Sequence, residues 1–148
     1  MELEDTVRAV LEHKGRQIWY VTPETSVYEA LEIMDREDIG ALLVMSGHRL
    51  LGVFSERDYS RKVILKGKAS KATLVGEIMS GTPVLGPHQS VDECMRLMTE
   101  FRIRHLPVIE NEIVIGVVSI GDLVNWTIHR QEEQIQHLHH YIAGSYPG

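Results

Sequence analysis

The chain is expected to adopt an α/β (α+β) fold: two pseudo-twofold-related β-α-β-β-α repeats in one compact module, with an N-terminal helix and a long C-terminal helix. Three observations lead there. Shifting the sequence by 64 residues lays Pro23, Ser26, Val27, Glu29, Met34, Ile39, Leu42, Val44, Gly52, Val53, Ser55 and Asp58 onto identical residues from Pro87 to Asp122 without a gap. Helix-start signals and hydrophobic periods recur at matching places in both copies. The 148 residues, 43% of them apolar, suffice for one core of ordinary size. A period this long, present twice, fits two similar units packed face to face rather than a solenoid, and it places a cleft between them.

The elements follow in order. Glu2, Leu3, Val7, Val10 and Leu11 have helical spacing over residues 2–14, and Gly15 stops that helix. Ile18 to Val21 reads as a short strand. Ser26 and Glu29 have the spacing of a capping box, and Val27, Ala30, Leu31 and Met34 form the buried face of the helix that follows. Ala41 to Met45 and Leu50 to Phe54 are strands joined at Ser46-Gly47-His48. Ser55-Glu56-Arg57-Asp58 opens a helix through Val63 and Leu65, ended by Gly67. The second copy repeats this order: Val84-Leu85, a helix capped by Ser90 and Glu93 with Val91, Cys94, Met95 and Met98 buried, then strands Leu106 to Ile109 and Val114 to Val118. The last helix starts at Ser119-Ile120-Gly121-Asp122 and runs through Leu123, Ile128, Ile135, Leu138 and Ile142 until Gly144 and Pro147. The expected division is an N-terminal helix (1–16), a first repeat (17–66), a basic linker (67–78), a second repeat (79–130) and a C-terminal extension and tail (131–148).

A net charge of −6 offers no broad basic field for nucleic acid or an anionic membrane. No signal peptide, lipidation motif or twenty-residue apolar span appears, so a soluble cytoplasmic protein is expected. Cys94, the only cysteine, is read as a small hydrophobe. No Gly-x-Ser-x-Gly, Walker loop or His-Glu-x-x-His occurs, so no enzyme and no catalytic residue are expected. His129, His137, His139 and His140 cluster on the last helix, but His137 and His140 without a nearby carboxylate or thiolate make a poor closed metal site; no metal is expected.

The Gly-h-h-Ser-x-x-Asp pattern (h, apolar) occurs as Gly52-Val53-Phe54-Ser55-Glu56-Arg57-Asp58 and again as Gly116-Val117-Val118-Ser119-Ile120-Gly121-Asp122. In a β-α-β-β-α setting it resembles the cystathionine-β-synthase (CBS) domain, and two in tandem resemble a Bateman module, over about residues 17–130. Ser-Glu-Arg-Asp-Tyr, Ile-Arg-His-Leu-Pro-Val and Val-Ser-Ile-Gly-Asp-Leu are similar to phrases of small stand-alone CBS proteins of bacteria and organelles. The resemblance implies a non-catalytic regulatory module that binds AMP, ADP, ATP, NAD(H) or S-adenosylmethionine in its cleft, requires no cofactor, forms a homodimer through the helices after Ser55 and Ser119, and signals through that dimer or to a partner protein the sequence does not name.

Position by position, the resemblance implies a second-copy site with Asp122 on ribose and Ser119, Arg104 and His105 toward phosphate. Val117, Ile39, Gly40, Ala30 and Thr25 would then contact adenine or its ribose. A first-copy site would use Asp58, Ser55 and Val53 with Ile103 and Cys94. There Gly40-Ala41 stands at the position of Arg104-His105, so phosphate charge would come from Arg57, Arg61 or Lys68-Ser70-Lys71, and phosphate is expected at the Asp122 site. A carboxylate can accept from both ribose hydroxyls, and helix N-terminal amides can donate to phosphate. Both Ser-x-x-Asp groups also have capping-box spacing, although Asp reaches back less far than Glu. The bland alternative for Arg104-His105 is a solvated basic pair at a strand start, and the linker lysines read as solubilising rather than functional. The alternative function is a dimerisation scaffold with vestigial nucleotide sites.

Overall fold

The computed structural model describes residues 5–145, and side chains through residue 139. Glu2, Leu3 and Pro147, and the side chains of His140 and Ile142, lie outside that range. The order is α1 (Val7–Lys14), β1 (Tyr20–Val21), α2 (Val27–Glu37), β2 (Ala41–Ser46), β3 (Arg49–Ser55), α3 (Glu56–Asp58) running into a π-helix (Tyr59–Ile64), α4 (Val75–Ile78), α5 (Val91–Phe101), β4 (His105–Glu110), β5 (Ile113–Ser119) and α6 (Ile120–Ser145).

The two halves are built alike. β1 pairs parallel with β2, and β2 antiparallel with β3, with Val44 opposite Gly52 and Leu42 opposite Phe54. β4 and β5 repeat that register with Val108 opposite Gly116 and Leu106 opposite Val118. The strand expected at Val84-Leu85 shrinks to one parallel bridge, Leu85 to Val108, where the first half pairs Val21 with Val44. Pro83, which donates no backbone hydrogen bond, stands where the first half has Trp19, whereas Pro87 matches Pro23 and is common to both halves. The two hairpins turn differently. Gly47 takes φ +61° in the first, whereas Asn111 and Glu112 take φ +53° and +67° in the second, the two positive angles of a type I′ turn.

Helix starts follow their caps. Ser26 Oγ accepts from Glu29 N at 3.1 Å, and Ser90 Oγ from Glu93 N at 3.0 Å. Glu93 returns the bond to Ser90 N at 3.1 Å, completing its box and holding its carboxyl below the ordinary glutamate range. Among the described residues Glu29 makes no such return. Buried Val27, Ala30 and Met34 on α2, and Val91, Cys94 and Met98 on α5, form the expected stripes. Met95, expected to be buried, is 40% exposed. The single helix expected after Ser55 is instead one α turn followed by the π-helix, where Leu65 N donates to Ser60 O at 3.1 Å.

The stretch expected to be a basic linker holds core. Thr73 and Val75 are buried, and α4 lies within the stretch. Val75 N donates to Thr25 O, Gly76 N to Pro23 O and Val27 N to Thr73 O, so this segment is laced to the first repeat. Val75 and Ile78 join the core of Val21, Val27, Phe54 and Val63. α1 makes the mirrored contacts: Val7 N donates to Gln89 O, Arg8 N to Pro87 O and Val91 N to Asp5 O. Val7, Val10 and Leu11 complete the core of Leu106, Val118, Leu123 and Trp126. Each segment that leads into a repeat therefore packs on the other repeat.

Candidate functional site

β3 and β5 pack against each other where the halves meet, and a cavity opens on either side of that seam. The Ser-x-x-Asp groups place one carboxylate at each. Asp58 and Asp122 are both true caps: Ser55 N donates to Asp58 Oδ2 at 3.0 Å, and Ser119 N to Asp122 Oδ2 at 2.7 Å. The shorter aspartate side chain therefore does reach back.

The Asp58 cavity has a volume of about 640 Å³. Asp58 is 5% exposed. Its Oδ1 accepts from Ser80 Oγ at 2.6 Å and lies 3.2 Å from Lys62 Nζ, so a ribose hydroxyl arriving there would compete with Ser80. Val53 and Ser55 line the cavity from the first repeat, Ile103 from the second. Arg57, Arg61, Lys62, Arg102 and Arg104 face only Glu56 and Asp58 as carboxylates. Arg57 Nη1 donates to Arg102 O at 3.2 Å, tying the repeats across the seam. Arg102 caps α5 in the left-handed region, at φ +54°.

The Asp122 cavity is smaller, about 300 Å³, and more apolar, with Trp19, Ile39, Leu43, Val117 and Pro107 among its walls. Ser119 lines it, and Lys14 Nζ donates to Asp122 Oδ2 and to Val117 O, each at 2.6 Å. His105 lines both cavities. Burial holds its imidazole below the ordinary histidine range; Lys14 and Arg104 push the same way, while Asp122 and Glu56 oppose them.

The expected sites are thus redrawn. Ser119, Asp122, Val117, His105 and Ile39 come together as expected for the second copy, and Asp58, Ser55, Val53 and Ile103 for the first. Arg104 and Gly40, assigned to the second-copy site, line the Asp58 cavity, because they lie just before β4 and β2, at the strand ends that border it. The cations therefore gather at the first-copy site, opposite to the expected phosphate location. Ala30 is fully buried in the first core and Cys94 in the second, and neither lines a cavity. Burial pushes the Cys94 thiol up to about 12. Thr25 accepts a bond from Thr22 N and lines neither cavity. Lys68, Ser70 and Lys71 also lie away; Lys71 sits 4.7 Å over the Tyr28 ring.

Lys14, Lys62, Ser80 and Arg102 escaped the sequence reading. A 64-residue comparison pairs Lys14 with Ile78 and Ser80 with Arg16, so no shared residue type flagged them. A third cavity, about 690 Å³, lies at the hairpin ends beside Arg49, Gly52, Gly81 and Ile109, away from both aspartates. Among the described residues no group of three or more His, Cys, Asp or Glu is placed to hold a metal.

The CBS-domain family model matches residues 5–64 and 75–129. The mitochondrial CBS domain-containing protein CBSX3 of Arabidopsis thaliana is 41% identical over 152 aligned positions, covering 95% of this chain and 73% of that protein. The crystal structure of the CBS domain NE2398 is 44% identical, with a TM-score of 0.80 over 83% of this chain and 97% of that one. The CBS-domain containing protein ATU1752 from Agrobacterium tumefaciens is 35% identical, with a TM-score of 0.78 over 82% and 98%.

Proposed function

Because this chain belongs to the CBS-domain family, as a tandem pair of repeats, we propose that it is a non-catalytic regulatory module binding an adenosine-containing nucleotide in the Asp58 cavity. The observation that carries this reading is five cationic side chains, Arg57, Arg61, Lys62, Arg102 and Arg104, gathered beside a buried carboxylate in a cavity of nucleotide size. Phosphate pairs with the arginines as charge-assisted bidentate bonds. Ribose hydroxyls replace Ser80 Oγ on Asp58, and the purine lies between Val53 and Ile103. Binding bridges the repeats, since Arg57 and Arg104 come from different halves. It shifts a conformational equilibrium only as far as its affinity differs between the two states.

Signalling is proposed to run through a homodimer or to a separate regulated protein. Ile64 and Leu65 after the first Ser-x-x-Asp, and Ile120, Val124 and Ile128 after the second, are 47–76% exposed, which supports helix-face self-association. The cytoplasm is the proposed location; among the described residues no helix is long and apolar enough to cross a membrane. A scaffold with vestigial sites is the second reading, favoured by one fact: both aspartates are already partnered within the chain.

Calorimetry with AMP, ADP and ATP on wild type and Arg104→Ala decides between them. Losing one charge-assisted bond of about 1.5–3 kcal/mol weakens binding by roughly 10- to 100-fold, and more for ATP than for a ligand whose single phosphate other arginines can serve. If no adenosine ligand binds the folded chain at millimolar concentration, the nucleotide reading falls and the scaffold reading replaces it.

A further inference from the structure

The arginines of the Asp58 cavity have little within the chain to neutralise them. Both oxygens of Asp58 are engaged, Oδ2 by Ser55 and Oδ1 by Ser80, and Lys62 Nζ lies 3.2 Å from Oδ1. Glu56 is the one other carboxylate lining the cavity, and it faces Arg57, Arg61, Arg102 and Arg104. Arg57 donates to a backbone carbonyl, that of Arg102. The side chains of Arg61, Arg102 and Arg104 have no hydrogen bond or ion pair among the described residues. Five cations against two carboxylates leave an excess of three positive charges at this cleft, in a chain whose net charge is −6.

The repeat shows that the fold itself does not need these cations. At a shift of 64 residues the counterparts of Arg57 and Arg61 are Gly121 and Asn125, and those of Arg102 and Arg104 are Asp38 and Gly40. Arg102 closes α5 in the left-handed region at φ +54°, just as Asp38 closes α2 at φ +55°. Aspartate and asparagine favour that conformation, and long side chains do not. The first half therefore holds the residue suited to the cap, and the second holds instead an arginine that lines the cavity.

We propose that this cluster is a site for a condensed phosphate, a di- or triphosphate chain, and that the number of phosphates rather than the nucleoside sets the affinity. The proposal rests on the nucleotide reading for its adenosine end alone; the phosphate end can be tested without a nucleoside. One terminal phosphate carries up to about two negative charges, fewer than the excess it would meet. Guanidinium forks from both repeats, Arg57 and Arg61 on one side and Arg102 and Arg104 on the other, are matched by several phosphates in a row. A sulfonium ligand without phosphate would add to the excess and is rejected.

The test is calorimetry in magnesium-free buffer of constant ionic strength, titrating inorganic phosphate, pyrophosphate and tripolyphosphate, then AMP, ADP and ATP, into wild type, Arg102→Asn and Arg61→Gln. Asparagine accepts the left-handed cap, and melting curves confirm that each chain is folded. The expected result is that tripolyphosphate binds wild type without a nucleoside and that each series tightens with every phosphate added. Either substitution weakens tripolyphosphate by roughly 10- to 100-fold, the loss of one charge-assisted bond. Equal affinity for AMP and ATP, with no binding of tripolyphosphate at millimolar concentration, overturns the proposal and leaves the nucleotide reading standing. Tripolyphosphate binding that is unchanged in both variants also overturns it, since the chain then sits elsewhere. Binding that weakens in the variants, with ATP no tighter than tripolyphosphate, upholds the phosphate site and removes the adenosine reading. No binding by the folded wild type overturns both.

Discussion

Leu11→Ala is the sharpest test of the exchanged packing. Leu11 has no solvent exposure and sits in the second-repeat core with Leu106, Val118 and Trp126. Truncating a buried leucine costs about 2–5 kcal/mol, and the cost rises with the cavity that remains. Here the residue opposite is Gly116, which has no side chain to lean into the gap. The loss is therefore expected in the upper half of that range, about 3.5–5 kcal/mol. With a urea slope of about 2 kcal/mol/M, the unfolding midpoint drops by roughly 2 M. Equilibrium urea denaturation followed by tryptophan fluorescence reads this directly, because Trp126 is 8% exposed in the same core. A loss below about 1 kcal/mol would mean that α1 lies on the surface of the second repeat rather than inside it, and the exchanged arrangement would be refuted.

His105 sets a pH dependence. Its folded-state value lies below the ordinary histidine value near 6.5, so the unfolded chain takes up a proton first. The stability this neutral imidazole contributes is complete above about pH 6.5 and is lost as pH falls through the folded value. Urea midpoints measured at a pH well above 6.5 and at a pH well below it are expected to differ less in His105→Gln than in wild type; equal differences would refute this. Cys94, fully buried with its thiol pushed up to about 12, is expected to alkylate only as fast as the chain opens. Mass spectrometry after iodoacetamide at pH 8, with and without urea, checks it; labelling of the native chain at the rate of a free thiol would contradict the burial.

Much of the architecture was legible because it is written in local chemistry. Ser26 and Ser90 mark helix starts, Val44 and Val108 alternate into a core, and the 64-residue identity says that two halves share one plan. The cleft, too, was foreseeable: Ile39 does join Asp122, and Ile103 joins Asp58, across the seam. Ala30 and Cys94 were harder to place, since a small apolar residue on a helix reads the same whether it faces a core or a ligand. The π-helix had no warning in hydrophobic period, because six residues are too few to separate it from an α turn.

What the sequence determined by itself is the repeat, its elements and the two carboxylates, since caps, turns and alternation act over a few neighbouring residues. What only the tertiary structure decided is the company those carboxylates keep. α1 crosses to the second repeat and α4 to the first because each repeat leaves an apolar surface that the other's leading segment fills: Leu11 against Gly116, and the Met79-Ser80 segment against Gly52. That exchange brings Lys14 to Asp122 across a sequence separation of 108 residues and Ser80 to Asp58 across 22. The packing of the halves then places Arg104, just before β4, at the first-repeat cavity and leaves His105 shared between both. Charge at a site is the sum over side chains that packing assembles from distant stretches, and no local pattern carries that sum.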